Sequence, residues 1–397
     1  MFKDKNILYI VHNYTSFQKD QIEEASRHFN KVYVLVRYKL VTVIANFLKL
    51  KVLQKYREEN CIDLHDLPDN VEVFKTPVNY IPYGSIYKLV GNFHYKAVKN
   101  VIEKNNLVFD IVHSHFLWSA GYAGMKVSEE YKVPFVVTGH GYDVYSLPFK
   151  NEWWNNTLKQ VVDSAKRVIT ISSFNKGHLD KLTEDKEKIG VIYNGFSPEL
   201  FYPMDKRTCR RELGLDEQKR VCVTAGNLIK IKGFEYLIKA ISLLPPEHSD
   251  VVLYIVGAGQ DHFKLKCLIR KYHLEDRVFL AGIKPHAEIA KWMNAADLFV
   301  VSSLKEGAPV VLLESLACGV PAVGTKVGIV EETLKSPEYG FVCNTKDSKG
   351  LKDAIIEGLS KDWDKEEIAE YGKQFTWAKA NEKIVQIYSK LLETNQG

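Results

Sequence analysis

No two cysteines in this sequence lie close enough to form a CxxC unit. The six present, Cys61, Cys209, Cys222, Cys267, Cys318 and Cys343, are scattered along 397 residues. That leaves no readable zinc or disulfide framework and points to a reducing cytoplasm. Long apolar stretches are also missing: none reaches the roughly 18 residues that a membrane-spanning helix requires. The N-terminal MFKDKNILYIVHNY carries an apolar run of only about six residues, read as a first β-strand rather than a signal peptide. Neither sign of charge dominates. The formal charge is +5, and residues 1–203, with 26 basic and 22 acidic side chains, hold +4 of it. So small a surplus argues against nucleic-acid binding. Internal repeats and low-complexity segments are absent too.

What is there is an alternating pattern. Short apolar, β-branched runs fall at 7–11, 32–36, 71–74, 111–113, 135–138, 168–171 and 190–193. Helical patterns lie between them, for example at 19–29 and 117–131. The rhythm restarts after residue 219, with runs at 221–225, 251–256, 278–280, 298–301, 321–324 and 340–343. Continuous apolar runs alternating with helices predict buried parallel strands and an α/β fold. More than a dozen strands is too many for one open sheet, so two domains are predicted. They are drawn at 1–203 and 204–377, across the turn-rich NGFSPELFYPMDK of 194–206. The last segment, 377–392, reads as an amphipathic helix; residues 378–397 either cover local apolar surface or cross back onto the first domain.

Residues 298–325, LFVVSSLKEGAPVVLLESLACGVPAVGT, are the densest in chemistry. A buried strand leads into a loop with Glu306, and a helix is predicted to begin near Pro309, a residue suited to a first helical turn. The amides of Gly307, Ala308, Val310 and Val311 then lie at the positive end of a helix, an anion site fit for a diphosphate. Glu306 and Glu314 remain to flank polar hydroxyls. Both carboxylates have a solvated-surface reading, but Glu314 sits within the apolar VVLLESLA, where a charge is rarely tolerated without a partner. Residues 225–236, AGNLIKIKGFEY, add a glycine turn at Gly226-Asn227 and place Lys232 before Gly233, at a helix start where lysine reaches phosphate. VGAGQ at 256–260, with Gly257, is a partial dinucleotide fingerprint or simply a tight strand-to-helix turn.

In the first half, His140 opens HGYD just after a strand, where ligands of open α/β sheets bind. His113 and His115 follow another strand and read as structural or pocket-wall groups rather than metal ligands. Asp362-Trp363-Asp364 mimics a metal-binding DxD but sits at a helix start, where capping is the simpler role.

Taken in order along the chain, these segments resemble the retaining glycosyltransferases of family 4. The E-x7-E spacing of Glu306 and Glu314 with SLACGVPAVGT is the most specific part. GNLIKIKG, VGAG, DRVFLAG at 276–282, HGYD and NGF at 194–196 accompany it. The resemblance implies a GT-B fold, two Rossmann-like doubly wound parallel-sheet domains facing a cleft. The C-terminal domain would bind the nucleotide-diphosphate sugar and the N-terminal domain the acceptor, a glycan, lipid-linked or small molecule. It implies that Glu306 contacts the donor sugar, Glu314 the ribose, and Lys232 with amides near Val310 the diphosphate. Backbone at Ile283 would lie beside the base and His140 would meet the sugar. Glu306, His140 and Lys232 are thus the implied catalytic groups. Gly226, Asn227, Gly257, Gly307, Ala308, Pro309 and Val311 complete the donor site, with no cofactor and no protein-bound metal. Two departures stand out. Asn227 replaces the usual arginine, with Lys230 as a substitute, and HNYTSFQK replaces the usual glycine pair of the first loop. Ser197 also stands where aspartate is common. A GT-B epimerase, a non-catalytic nucleotide-sugar-binding protein and a dehydrogenase using VGAG are the competing readings.

Residues 37–57 hold six basic and no acidic side chains. At helical spacing Leu40, Val43, Ile44, Phe47 and Leu50 form an apolar stripe, opposite Lys39, Thr42, Asn46 and Lys49. This segment either lies in an anionic membrane interface, making a cytoplasmic protein peripheral to the inner face, or packs its stripe on the first sheet.

Overall fold

The computed structural model describes residues 2–48, 57–58, 61–78 and 84–393. The chain divides into two compact units. One comprises Met1–Asn194 with Trp377–Gly397, the other Gly195–Thr376. No helix among the described residues is long and apolar enough to cross a membrane.

The first unit is built on strands β1 (Phe2–Val11), β2 (Phe29–Tyr38), β3 (Val71–Pro77), β4 (Ile111–His115), β5 (Phe135–Gly139), β6 (Arg167–Thr170) and β7 (Ile189–Val191). They form one sheet in the order β3-β2-β1-β4-β5-β6-β7, and every pairing is parallel. Side chains alternate across such a sheet, and both faces are apolar. Leu8, Ile10, Leu35, Val112 and Val137 join one core with Val98, Ile102 and Val161 of the covering helices. Ile7, Tyr9, Val11, Val34 and Val136 join a second core on the opposite face. That second face is closed by the C-terminal helix Trp377–Glu393, through Trp377, Ile384, Val385, Tyr388 and Leu392. Burying each of these is worth about 1.5–3 kcal/mol. The fully buried hydroxyl of Tyr388 lies 2.9 Å from that of Tyr9.

The second unit holds β8 (Arg220–Ala225), β9 (Val251–Val256), β10 (Val278–Gly282), β11 (Leu298–Val301), β12 (Ala322–Thr325) and β13 (Gly340–Cys343). Their order is β10-β9-β8-β11-β12-β13, again all parallel. Numbered within the unit this is 3-2-1-4-5-6, the doubly wound Rossmann order. Strand order reverses between β1 and β4 in the first unit and between β8 and β11 in the second. Ligands of such sheets bind beyond the carboxyl ends of the strands at that reversal.

Several local expectations are corrected. The first helix spans Ser16–Ser26 rather than 19–29. Phe29 instead opens β2, its ring 5.2 Å from that of Phe2. The 117–131 segment begins with an irregular turn, Leu117–Gly121, in which Trp118 is extended, before the helix Tyr122–Tyr131. Arg37 and Tyr38 belong to β2, so the helix of the basic segment is Leu40–Leu48. Lys49, Leu50 and the remainder to residue 56 lie outside the described residues. Within that helix Thr42 and Ala45 are buried, whereas Val43, Ile44 and Phe47 are exposed, Phe47 by 85%. Three of the stripe's residues, Val43, Ile44 and Phe47, are therefore turned away from the sheet, and the polar Thr42 faces inward.

Candidate functional site

In the second unit, the ends of β8, β9 and β11 converge through two close backbone approaches. Gly257 has φ +146°, and a Cβ there would stand 2.0 Å from the carbonyl oxygen of Gly226. Gly233 has φ +65°, and a Cβ there would stand 2.0 Å from the carbonyl oxygen of Ser302. Only glycine permits either approach. The second one lays the 230–232 turn against the end of β11, where Leu304 N donates to Ile231 O at 2.7 Å and Ser302 Oγ to Lys232 O at 2.9 Å. Lys232 is thereby aimed at the 302–309 loop. Its Nζ lies 2.6 Å from Glu306 Oε1, which also accepts from Ser303 Oγ at 2.6 Å. Both sites on Glu306 that are taken are on Oε1.

Beyond Glu306, Pro309 is extended and occupies the cap position, so the helix spans Val310–Ala317 and starts one residue later than proline's usual place. No side chain caps it among the described residues. The amides of its first turn have no intrahelical acceptor by geometry and carry the positive end of the helix dipole. Glu314, 4% exposed, points from this helix toward the solvent-facing His286, whose Nε2 lies 3.1 Å from Glu314 Oε1. The partner required by a carboxylate within VVLLESLA is thus supplied 28 residues away. His286 was not singled out from the sequence, because the signal for it, a buried carboxylate needing a partner, does not say which residue answers.

The remaining expected residues lie in the turns that follow strands of this unit. Gly226 and Asn227 follow β8, Asn227 exposed. Ile283 follows β10 and is 79% exposed. Gly307 and Ala308 lie between Glu306 and the helix. Lys230 lines a small cavity with Glu235, Asp261 and Lys264. Asp364 caps the helix Lys365–Gly372 by accepting from Glu367 N. Among the described residues no group of histidine, cysteine or carboxylate side chains is arranged to hold a metal ion.

In the first unit, His140 directly follows β5 and is buried. The imidazole of His115, from the end of β4, stacks on it with centroids 5.1 Å apart, and His115 Nδ1 lies 3.0 Å from His140 Nε2. Burial holds the His140 pKa well below the ordinary histidine value, and burial sets that of His115 at about 3, so both rings are neutral. Asp143 shapes the turn. Its two oxygens accept from Gly141 N and Leu117 N, each at 2.8 Å, and burial raises its pKa. His113 is engaged on both nitrogens, by Tyr388 and Thr138.

Comparison with known proteins agrees with this architecture. A family model for glycosyl transferases group 1 matches residues 205–375, and a model for glycosyltransferase family 4 matches residues 41–200. The chain is similar to the N-acetyl-alpha-D-glucosaminyl L-malate synthase of Bacillus anthracis, 27% identical over 73% of this chain and 76% of that protein. Among solved structures it resembles sucrose-phosphate synthase from Thermosynechococcus elongatus, with TM-score 0.78, 21% identity and coverage of 98% and 100% of the two chains. It also resembles Anabaena Alr3699/HepE in complex with UDP-glucose, with TM-score 0.71, 22% identity and coverage of 98% and 100%. The two family models between them take in most of the chain, in the order its two parallel-sheet units require, and with the GT-B fold they support a glycosyltransferase of the family-4 type.

Proposed function

We propose that this enzyme moves a hexosyl group from a nucleoside diphosphate sugar to a hydroxyl acceptor with retention of anomeric configuration and without a bound metal. The observation that carries the reading is the Lys232–Glu306 pair beside the uncapped start of the helix Val310–Ala317, at the strand-order reversal of the second unit. A diphosphate presents more negative charge to Lys232 than one carboxylate does, so an arriving donor draws Lys232 onto its phosphate oxygens. The first-turn amides, with Gly307, Ala308, Val310 and Val311, take the rest of that charge. Glu306 then turns to the sugar, its Oε2 accepting from a hydroxyl. Glu314, held by His286, accepts from the ribose hydroxyls. The base lies against exposed Ile283 and the turns at Gly226-Asn227 and Gly257. His140 is the first unit's substrate-touching group.

The acceptor oxygen attacks C1 on the face from which the diphosphate leaves. The C1–phosphate oxygen bond breaks, the C1–acceptor bond forms, and the acceptor proton passes to the departing phosphate oxygen. Lys232 and the helix start stabilise charge that grows as the bond breaks, which is where such groups lower a barrier. The complex of a structural relative with UDP-glucose supports a donor of this class. The exposed Val43, Ile44 and Phe47, next to the basic residues of 37–57, are suited to the interface of an anionic membrane and so to a lipid-linked acceptor on the cytoplasmic face. A panel of nucleoside diphosphate sugars tested by thermal shift and by donor turnover checks the reading. Stabilisation by no member of the panel, with no turnover, contradicts it. Interconversion of free sugar epimers in place of transfer favours the epimerase reading.

A further inference from the structure

Beyond β5 and β6 the first unit carries a row of aromatic rings at its surface. Tyr145 closes the short helix Tyr142–Tyr145, Phe149 closes the turn Leu147–Phe149, and Phe174 and His178 belong to the helix Ser173–Leu179. Apolar side chains scattered singly over a surface are ordinary, whereas joined ones mark a binding site. These are joined. Ring centres lie 5.9 Å apart between Tyr145 and Phe174, 4.7 Å between Phe174 and His178, and 5.7 Å between His178 and Phe149. His178 is held in the row because its Nδ1 donates to Phe174 O at 2.9 Å. The row also adjoins His140. Asn175, next to Phe174, donates from Nδ2 to His140 O at 3.2 Å, and a Cβ on Gly141 would stand 3.5 Å from Cε1 of the Tyr145 ring.

Exposure and charge select the occupant. Phe149 is 44% and Phe174 39% exposed. Each is seated against a neighbouring ring and still offers part of its surface, whereas a side chain suited to entering lipid projects, as Phe47 does at 85%. An anionic membrane also calls for uncommitted positive charge beside the rings. The lysines within two residues of them are engaged locally. Lys176 Nζ lies 2.8 Å from Asp180 Oδ1, and Lys150 Nζ lies 5.2 Å from the centre of the Tyr142 ring. A neutral ligand with an apolar face and a polar edge fits such a row. A pyranose has that form: C–H groups gather on its face, hydroxyls surround its edge, and aromatic rings stack on the face. Four rings in series outrun one sugar, so the fitting ligand is an oligosaccharide.

We propose that the row Tyr145–Phe174–His178–Phe149 is an acceptor subsite, which holds a neutral oligosaccharide by stacking beside the turn that carries His140. The acceptor's sugar units lie along the row, and its reacting hydroxyl is presented from the end next to His140. This rests on the reading of the chain as a sugar transferase, but the binding itself is measurable without donor and without turnover.

The test uses the full chain and three probes, maltopentaose, cellopentaose and penta-N-acetylchitopentaose, followed by saturation-transfer difference NMR. At least one probe is expected to receive saturation on its ring C–H protons. Phe149→Ser and Phe174→Ser should each weaken that binding about two- to tenfold, the scale of one lost stacking contact, and the pair should remove it. Phe174→Tyr keeps the ring and should bind as the wild type does, with urea midpoints showing that each variant is folded. No saturation transfer to any of the three probes overturns the proposal, as does unchanged transfer in the folded double variant. So does a double variant that keeps sugar binding but loses flotation with phosphatidylglycerol vesicles, which would make the row a membrane contact. If the wild-type chain turns over no nucleotide sugar yet shows this pattern of binding, the functional reading fails and the oligosaccharide site stands.

Discussion

Lys232 Nζ and Glu306 Oε1 lie 2.6 Å apart across 74 residues of sequence, and the contact exists because Gly233 can approach the carbonyl oxygen of Ser302 as no other residue can. The two groups expected to meet different parts of one donor, phosphate and sugar, thus neutralise each other when no donor is bound. On the proposed reading, donor binding exchanges this internal ion pair for contacts with the ligand.

Removing either partner therefore has two consequences. Lys232→Ala is expected to lower kcat/KM by about 2–4 kcal/mol of transition-state stabilisation, the scale of one lost electrostatic donor. Glu306→Ala is expected to act mainly on kcat. Because the groups share a contact, the double variant should lose less than the two single losses combined. Steady-state kinetics of the three variants check this, and strict additivity contradicts the coupling.

His286 is predicted to serve donor affinity through Glu314. His286→Ala takes away a hydrogen bond to a buried carboxylate, worth about 1.5–3 kcal/mol. The donor KM should rise about tenfold or more while kcat stays within about twofold. An unchanged KM would show that Glu314 keeps its orientation without His286.

Acid should destabilise the first unit early. His94, His113, His115 and His140 are all buried, and burial lowers the pKa of each, in His94 and His115 to about 3. The unfolded chain takes up protons at these sites below about pH 6.5 and the folded chain does not. Their contribution is fully present above that pH and is lost as the pH falls toward about 3, at up to roughly 1.4 kcal/mol per pH unit for each histidine. Urea unfolding at pH 7.5, 6 and 5 should show a falling midpoint. A midpoint constant over that range contradicts the buried, neutral assignment.

Membrane contact has its own test. The chain is expected to float with anionic vesicles and not with zwitterionic ones, less so at high salt. Phe47→Glu and the pair Lys49→Glu with Lys51→Glu should each weaken binding. No flotation at low salt excludes this contact.

Much of the fold was legible because the strands are buried on both faces and read as unbroken apolar runs. Residues 251–256, 298–301 and 340–343 were placed at their observed bounds. The illegible parts depend on partners distant in sequence. Arg37 is extended and buried because Ser119, 82 residues on, accepts from its guanidinium at 3.1 Å. The helix Leu40–Leu48 defies its hydropathy: Thr42 is buried, Phe47 is left outside, and the exposed Asn46 bonds Glu58 N and the Tyr38 hydroxyl. In the site, the E-x7-E spacing singled out Glu306 and Glu314 but not their partners. Lys232 and His286 reach them from other elements. Lys230, the expected stand-in for the arginine replaced by Asn227, lines a cavity with Glu235 and Asp261.

The most direct measurement is the fate of the anomeric carbon. Full-length protein is incubated in excess chelator with the α-linked nucleoside diphosphate sugar that stabilises it best and with an accepted hydroxyl compound, and proton NMR follows the anomeric signal. The account predicts an α-linked product formed at the same rate with and without chelator, and abolished or slowed at least about a hundredfold by Glu306→Ala with Lys232→Ala. A β-linked product, strict dependence on a divalent metal, or full activity in the double variant would contradict it.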